Sequence, residues 1–231
     1  MGQANLSWKV QHPISKVWIP LGEKGSVQEA LIAAGQLPDP FVGMNEDKFN
    51  WIENYQWTLE TDFFLTASDL KQFIELDFPS VDTYASIFLN GKPVAETDNA
   101  FVHYRFDVSD NVLVGRNKLK VVFTPPIMYQ KPRMAKVGVT LPAPNDVGKT
   151  KVAPHCRKPQ YQFGWDWSLR MLTMGFNEPV KVIVYSSNRV LGNYSNTLEV
   201  SDERAVSEFT LLLAKESSES FTWKSTLFGD Q

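Results

Sequence analysis

The sequence predicts an all-β protein built around an antiparallel β-sandwich, and three observations support this fold class. Apolar and polar residues alternate over residues 57–63, 72–78 and 83–89, which is the period of a half-buried strand. Asn90-Gly91 follows the third of these runs, and this pair is a strong signal for a two-residue hairpin. Hydrophobic residues make up 43% of the 231 residues and aromatic residues 13%, so the chain can fill a core and favours strands.

Short local elements are predicted before the first sandwich strand. Residues 1–18 contain few apolar residues and predict an irregular or edge strand. Ser26 and Glu29 stand three residues apart before an apolar run that ends at Gly35, which is the pattern of a short, capped helix. Two further elements follow: a turn imposed by two prolines over residues 37–41, and one or two helical turns over residues 45–52.

The second half of the chain predicts more strands and a domain boundary. The strand pattern continues in residues 92–96, 101–108, 117–123, 171–173, 180–185, 197–200, 205–213 and 221–227. Residues 188–196 are polar and break the pattern, so we expect one domain over residues 1–186 and a second over residues 187–231. Three strands cannot close a sandwich, so the second domain is expected to be incomplete.

Residues 125–159 differ from the rest and predict a long surface excursion. They contain seven prolines and show little periodicity. Seven lysines and arginines there oppose only Asp146, yet aromatic residues are nearly absent and the whole chain carries a formal charge of -3. We therefore expect no nucleic-acid partner and no attraction to an anionic membrane.

Composition also excludes several kinds of site. Cys156 is the single cysteine, which excludes an internal disulfide and a cysteine-rich metal site. The three histidines are too dispersed for a zinc motif. The N-terminus lacks an apolar run of signal-peptide length, and no later run is long enough to cross a bilayer. The expectation is a chain without a membrane partner that is cytoplasmic by default.

The main candidate site is the stretch Gly164-Trp165-Asp166-Trp167-Ser168. If it runs extended, both indoles share one side and could root the segment in a core, while Asp166 faces outward. A carboxylate suits pairs of sugar hydroxyls, and indole faces suit the C–H faces of a sugar ring. The alternative is packing, with Asp166 simply paired with Arg157 or Arg170.

Three other candidates favour structural interpretations. An Asn-Glu pair can carry the catalytic acid/base in a barrel enzyme, where it follows a buried barrel strand. Asn45-Glu46 instead precedes the predicted sandwich, so Asn45 is expected to order a loop or cap the next helical turn. Glu75 and Asp77 share one face of an alternating strand, where a solvated surface explains them. His155-Cys156 lacks a third partner, so a loop or packing role is expected.

Three long stretches carry a resemblance to a known family. They are residues 37–46 with Trp51-Ile52-Glu53 and Trp57, residues 81–91 with Thr97-Asp98-Asn99 and Phe101, and residues 157–167. In this order, over about residues 1–185, the sequence resembles the N-terminal region of β-mannosidases, a branch of glycoside hydrolase family 2.

The resemblance implies a galactose-binding-like jelly roll over residues 1–186, followed by part of an immunoglobulin-like sandwich. In this family a (β/α)8 barrel comes next and carries both catalytic glutamates; these 231 residues do not include it. The implied reaction is retaining hydrolysis of terminal β-mannosides by two carboxyl groups about 5–5.5 Å apart. Because this reaction requires neither a metal nor an organic cofactor, the resemblance implies that none is bound. The chain is therefore expected to hold no catalytic residue, to be inactive alone, and to depend on the missing barrel as its partner.

The resemblance also implies site residues. A loop of the first domain reaches the sugar pocket in this family, and Asp166 matches the position that binds sugar hydroxyls. Trp165 and Trp167 would shape this loop, and Arg170 is retained. Ser168-Leu169 departs from the usual Gly-Pro, and Phe176-Asn177 stands where a tryptophan is common. Two alternatives remain open: a free carbohydrate-binding module, and a scaffold domain in which an arginine neutralises Asp166.

Overall fold

The described strands fall into two groups, one in each of two compact units. The computed structural model describes residues 2–186 and 189–213. Contacts divide the chain into two compact units, Met1–Val184 and Tyr185–Gln231. Among the described residues, no helix has the length and apolarity that a bilayer crossing requires.

The first unit is a β-sandwich of two antiparallel sheets, which confirms the predicted fold class. Its strands are β1 (Gly2–Asn5), β2 (Trp8–Gln11), β3 (Trp18–Gly22), β4 (Gly25–Ser26), β5 (Trp57–Leu65), β6 (Phe73–Phe78), β7 (Ala85–Leu89), β8 (Lys92–Thr97), β9 (Tyr104–Asp107), β10 (Gly115–Phe123), β11 (Gly175–Phe176) and β12 (Lys181–Tyr185). One sheet has the order β3-β2-β5-β10-β7-β8 and the other β1-β12-β6-β9. A short pair, β11-β4, lies apart from both sheets.

The core lies between the two sheets, and strand alternation fills it. β5 pairs with β10 over nine positions, from Leu65↔Gly115 to Trp57↔Phe123. Trp57 and Phe123 are fully buried, and each buried side chain of this size contributes about 1.5–3 kcal/mol. Phe176 on β11 packs against Phe123 with ring centroids 5.5 Å apart, which ties the short pair to the same core.

Two local sequence signals correctly predicted a hairpin turn and a helix cap. Asn90 and Gly91 both have positive φ, 52° and 81°, as a hairpin turn of this type requires between β7 and β8. Ser26 caps helix α1 (Val27–Ala33), with its hydroxyl oxygen accepting from the Glu29 amide at 3.2 Å. The Glu29 carboxylate accepts from the Ser26 amide at 2.7 Å, so the predicted capping box is confirmed.

The described residues also contain four 3₁₀-helices, at Asn45–Asn54, Asp69–Lys71, Ala153–His155 and Gln160–Phe163. The first confirms the helical turns expected over residues 45–52. The N-terminal expectation is only partly confirmed, because β1 is an edge strand whereas β2 lies inside the larger sheet between β3 and β5.

Two element predictions within the first unit are wrong. Helix α2 (Pro126–Val137) lies within the stretch that was expected to be an irregular excursion. Its proline at the first position and Gly138 with φ of 73° after its end are ordinary helix boundary signals, but Pro132 inside it hides the pattern. Residues 171–173 form no strand, and the pairing with β4 occurs further on, at β11.

The described part of the second unit is one antiparallel hairpin, β13 (Val190–Val200) and β14 (Ala205–Leu213). The pattern break expected over residues 188–196 is wrong from Val190 onward, because these polar residues form the first half of β13. The strand predicted over residues 221–227 lies outside the described residues. The domain division at residues 186 and 187 stays a prediction.

Candidate functional site

The Trp-Asp-Trp stretch forms a tight turn. The Trp165 amide donates to the Ser168 carbonyl oxygen at 3.3 Å, and the Ser168 amide donates back to the Trp165 carbonyl oxygen at 3.2 Å. Asp166 and Trp167 occupy the two positions between them. Residues 164–168 therefore do not run extended, and the side-chain alternation considered for that case does not apply, because these reciprocal hydrogen bonds reverse the chain within four residues.

The loop of residues 164–170, here named the tip loop, exposes both tryptophans. Trp165 is 44% exposed and Trp167 is 71% exposed, so the two indoles do not root the segment in a core, as they could have done in an extended run. The reverse turn places both side chains on the outside. Phe163, just before the loop, is the aromatic residue that enters a core, in a cluster that includes Tyr84.

The exposed rings form a continuous surface beside the carboxylate. Tyr161 and Trp167 have ring centroids 5.8 Å apart, and Trp165 and Trp167 have centroids 6.4 Å apart. We name these three rings the aromatic tip. Asp166 is exposed and has no hydrogen-bond or ion-pair partner within residues 2–186 and 189–213. Pairing of Asp166 with Arg157 or Arg170 is therefore not observed in the described chain.

Arg170, at the end of the tip loop, binds Glu53 instead. Arg170 Nη1 donates to Glu53 Oε1 at 2.5 Å, and Nη2 donates to Oε2 at 2.9 Å. The side chains of Arg170 and Glu53 are 11% and 10% exposed. Gly148 lies against the same guanidinium, where a Cβ would come within 2.9 Å of Nη2. The expected substrate contact of Arg170 stays a prediction; its guanidinium is committed to Glu53 in this structure.

Gly164 sets the direction of the chain into the tip loop. Its φ is 110°, in the region that side-chain-bearing residues rarely adopt. A Cβ on Gly164 would lie 3.0 Å from the Asn145 carbonyl oxygen and 3.0 Å from Val147 Cγ2. The neighbouring Phe163 carbonyl oxygen accepts from the Val147 amide at 3.2 Å, so the two segments touch along their backbones. This position requires glycine for both conformation and space.

A buried polar network supports the base of the tip loop. Lys158 is fully buried, and its ammonium donates to Asp82 Oδ1 at 2.5 Å and to the Thr173 carbonyl oxygen at 2.6 Å. The Gln162 amide donates to Asp82 Oδ2 at 3.2 Å, and the Thr173 hydroxyl lies 2.7 Å from the same oxygen. We name Asp82, Lys158, Gln162 and Thr173 the base network. It joins the segments on both sides of the loop to the sandwich.

Charge pairing decides the ionisation of this network. Burial disfavours the charged form of Asp82, but attraction to the Lys158 ammonium and the hydrogen bonds to the carboxylate outweigh burial and lower the pKa of Asp82. Burial lowers the pKa of Lys158, and the Asp82 carboxylate opposes that shift. The pair is therefore a carboxylate facing an ammonium, each without access to solvent.

Sequence reasoning missed the supporting residues, although each stood in a quoted stretch. Glu53 belongs to the first stretch of resemblance, Asp82 to the second and Lys158 to the third. The structure brings these three distant segments together around the tip loop through the Glu53–Arg170 pair and the base network. The available signal was a lysine and two carboxylates within otherwise apolar and aromatic stretches, where burial of a charge implies a partner.

The remaining candidates have structural roles. Asn45 orders a loop, since its side-chain amide donates to the Asp39 carbonyl oxygen at 2.9 Å. The solvated face expected for Glu75 and Asp77 is wrong: both are buried, because β6 lies inside its sheet and His103 covers Asp77, with Nε2 2.6 Å from its carboxylate. Burial raises the pKa of the Cys156 thiol to about 11, and the thiol donates to a backbone carbonyl.

An open cleft of about 670 Å³ runs beside the tip loop. Its lining includes Tyr161, Ser168 and Leu169 as well as residues 39–41. Among the described residues, no three His, Cys, Asp or Glu side chains gather closely enough to hold a metal ion. The tip loop therefore offers an exposed carboxylate and exposed rings, and its residues Ser168 and Leu169 border the cleft.

Comparison with known proteins identifies the family. Residues 8–178 match the family described as glycosyl hydrolase 2 galactose-binding domain-like. The chain belongs to this family. Its jelly-roll sandwich is thus the galactose-binding-like domain of glycoside hydrolase family 2, as the resemblance implied.

Curated relatives of this family 2 domain are β-mannosidases. The β-mannosidase of Rattus norvegicus is 30% identical over 186 residues, which are 78% of this chain and 21% of that protein. A β-mannosidase B of Emericella nidulans is 32% identical over 168 residues, 70% of this chain and 19% of that protein. The chain spans about a fifth of the length of these relatives.

Solved structures agree with the family assignment. A β-D-mannosidase from Dictyoglomus thermophilum matches with a TM-score of 0.83 and 31% identity, over 91% of this chain and 26% of that chain. An exo-chitosanase from Amycolatopsis orientalis matches with a TM-score of 0.62 over 94% of this chain and 28% of that chain, but at 16% identity. The second likeness shows the fold alone.

Proposed function

We propose that this family 2 domain is the N-terminal part of a β-mannosidase-like hydrolase and that its tip loop contributes to the substrate pocket. The observation that carries the proposal is Asp166: an exposed carboxylate with no protein partner in the described chain, held at a tight turn between two exposed indoles. Asp166 binds hydroxyls of a terminal β-mannoside, and Trp165 and Trp167 shape the pocket around it.

The chemistry of a sugar hydroxyl pair suits this carboxylate. Two oxygens that only accept can take hydrogen bonds from two neighbouring hydroxyls, and each hydrogen bond to a charged group contributes about 1.5–3 kcal/mol. Indole faces beside it offer apolar contact to the C–H groups of the ring. Arg170 is turned toward Glu53, so it does not compete with a ligand for the Asp166 carboxylate.

Hydrolysis itself is assigned to other residues of a longer polypeptide. Retaining hydrolysis needs a nucleophile and a separate acid, with carboxyl groups about 5–5.5 Å apart. Asp166 alone cannot serve as both, and the nearby carboxylate Glu53 is buried in its ion pair with Arg170. We therefore assign the catalytic carboxylates to a barrel encoded downstream, which is the partner of this domain. By itself the 231-residue chain is expected to be inactive.

A first test is the downstream coding sequence. Several hundred further codons encoding a barrel with two catalytic glutamates would support the proposal, whereas a reading frame that ends here would overturn it.

A second test is the Asp166→Asn variant of the complete polypeptide, assayed on 4-nitrophenyl β-D-mannoside. Asparagine keeps one acceptor oxygen, so loss of one charged hydrogen bond should lower kcat/KM about 10- to 150-fold at unchanged melting temperature. Asp110→Asn, at another exposed aspartate, is the matched control; equal kcat/KM for both variants contradicts the proposal.

A second candidate function is a free carbohydrate-binding module. The exposure of Trp165 and Trp167 favours it, since such modules need open aromatic rings. Titration of the 231-residue chain with mannose, followed by tryptophan fluorescence, separates the two. Millimolar or tighter binding that Trp167→Ala abolishes supports the module. The scaffold alternative required an arginine neutralising Asp166, and the described residues show none.

A further inference from the structure

We propose that Glu53 is a positioning residue: through Arg170 it fixes the tip loop and thereby the direction of the Asp166 carboxylate. This inference rests on the proposed function of Asp166 and concerns what holds that residue in place. Three features of the Glu53–Arg170 pair support it: the geometry of the pair, its burial and its place relative to the loop.

The pair is a two-point contact. Arg170 Nη1 and Nη2 each donate to a different oxygen of Glu53, at 2.5 and 2.9 Å. A two-point contact between a planar guanidinium and a carboxylate fixes rotation as well as distance. Arg170 Nε is buried without a hydrogen-bond partner, so in the described part of the chain Glu53 accepts all hydrogen bonds that this guanidinium makes.

Burial makes the pair hard to replace. Both side chains are about nine-tenths buried, at 10% and 11% exposure. Gly148 leaves room for the guanidinium, because any Cβ there would lie 2.9 Å from Nη2. A guanidinium in this slot without its carboxylate would be an uncompensated buried charge. It would leave the slot for solvent and take the end of the tip loop with it.

The location of the pair separates it from the base network. The Met171 amide donates to the Gln162 carbonyl oxygen at 2.9 Å, which closes the loop at its base independently of Glu53. Arg170 lies between this closure and the turn at Ser168. Loss of Glu53 should therefore free the tip loop, while the base network and the sandwich core keep their contacts.

The first test uses amide order parameters of the 231-residue chain. Residues 165–168 should be rigid, with S² of about 0.85, and Glu53→Gln should lower these values toward about 0.6. Trp8 in the sandwich core should keep its value. Glu60→Gln is the matched control, because Glu60 is similarly buried and pairs with Lys118 at 2.8 Å on the larger sheet. S² below about 0.6 in the unchanged chain, or unchanged S² in Glu53→Gln, overturns the inference.

The second test is a double-mutant cycle in the complete polypeptide. A residue that acts through Asp166 should matter only when Asp166 is present. Glu53→Gln should lower kcat/KM about 10- to 100-fold, since small misplacements of a contact group are costly. In the Asp166→Asn background the same change should cost no more than about twofold. Equal losses in both backgrounds would show a general structural role and overturn the inference.

The two tests separate the inference from the proposed function. If Asp166→Asn leaves kcat/KM unchanged, the proposed function fails, and the order parameters still decide whether Glu53 fixes the loop. If Asp166→Asn lowers kcat/KM but Glu53→Gln does not, the inference fails alone. Arg170→Lys should resemble Glu53→Gln, because an ammonium keeps the charge but cannot make the two-point contact.

Discussion

Replacing Lys158 by methionine probes the base network directly. Methionine keeps the length and apolar stem of lysine but removes the ammonium that faces Asp82 at 2.5 Å. Breaking a fully buried ion pair from one side typically costs about 3–5 kcal/mol. Asp82 keeps hydrogen bonds from Thr83, Gln162 and Thr173. We therefore expect the free energy of unfolding to fall by about 3 kcal/mol, the lower end of that range.

Urea unfolding of the 231-residue chain at pH 7, followed by tryptophan fluorescence, measures this loss. With a slope of about 2 kcal/mol per molar urea, a loss of about 3 kcal/mol lowers the midpoint by about 1.5 M. The double variant Asp82→Asn/Lys158→Met removes both charges and should lose less than the sum of the single changes. A loss below about 1 kcal/mol for Lys158→Met would refute the assignment of a buried, charged pair.

The pH dependence of the same variant has a defined sign. The pKa of Asp82 is lowered in the folded chain, so its pair stabilises the fold at pH values above the unfolded pKa of about 3.9. That stabilisation disappears as the pH falls through the folded pKa. In Lys158→Met, burial without the ammonium should raise the pKa of Asp82. As the pH falls, protonation of the carboxylate then removes the unpaired buried charge. The stability difference between the two proteins should therefore shrink from pH 7 to pH 4.5; a constant or growing difference contradicts this account.

Two further outcomes are expected. Gly164→Ala should destabilise the chain by about 1–3 kcal/mol in thermal unfolding, because φ of 110° strains alanine and its Cβ would meet the Asn145 carbonyl oxygen. Gly22→Ala, with φ of 88° but open space, should cost less; equal costs would show that the contact is irrelevant. Cys156, with a thiol pKa of about 11, should resist iodoacetamide at pH 8 until the chain unfolds, and rapid labelling of the native chain would contradict its burial.

Local chemistry made most of the sandwich predictable. Asn90-Gly91 forms the predicted hairpin because both positions need positive φ, and Ser26 with Glu29 forms the predicted cap because their spacing satisfies two amides reciprocally. Helix α2 was missed because Pro132 interrupts its pattern, and its stability comes from packing. Ile127, Tyr129 and Met134 contact the small core around Phe163, a tertiary effect that no local pattern reveals.

The composition of the tip loop was visible in the sequence, but its geometry was not. Asp166 is exposed as expected, yet the turn at Ser168 depends on backbone hydrogen bonds that residue alternation cannot show. The exposure of Trp167 is likewise a consequence of that turn. Glu53 and Asp82 lie more than seventy residues before the loop they support, and only the assembled fold shows that their charges meet Arg170 and Lys158.

The convergence of three distant segments limits how the loop can be transplanted. A peptide of residues 157–173, or a graft of that segment onto another sandwich, would carry Lys158 and Arg170 without Asp82 and Glu53. Both cations would then move into solvent, and this movement would distort the turn. A host scaffold would have to supply two correctly spaced acids of its own before it could display Asp166 in the same orientation.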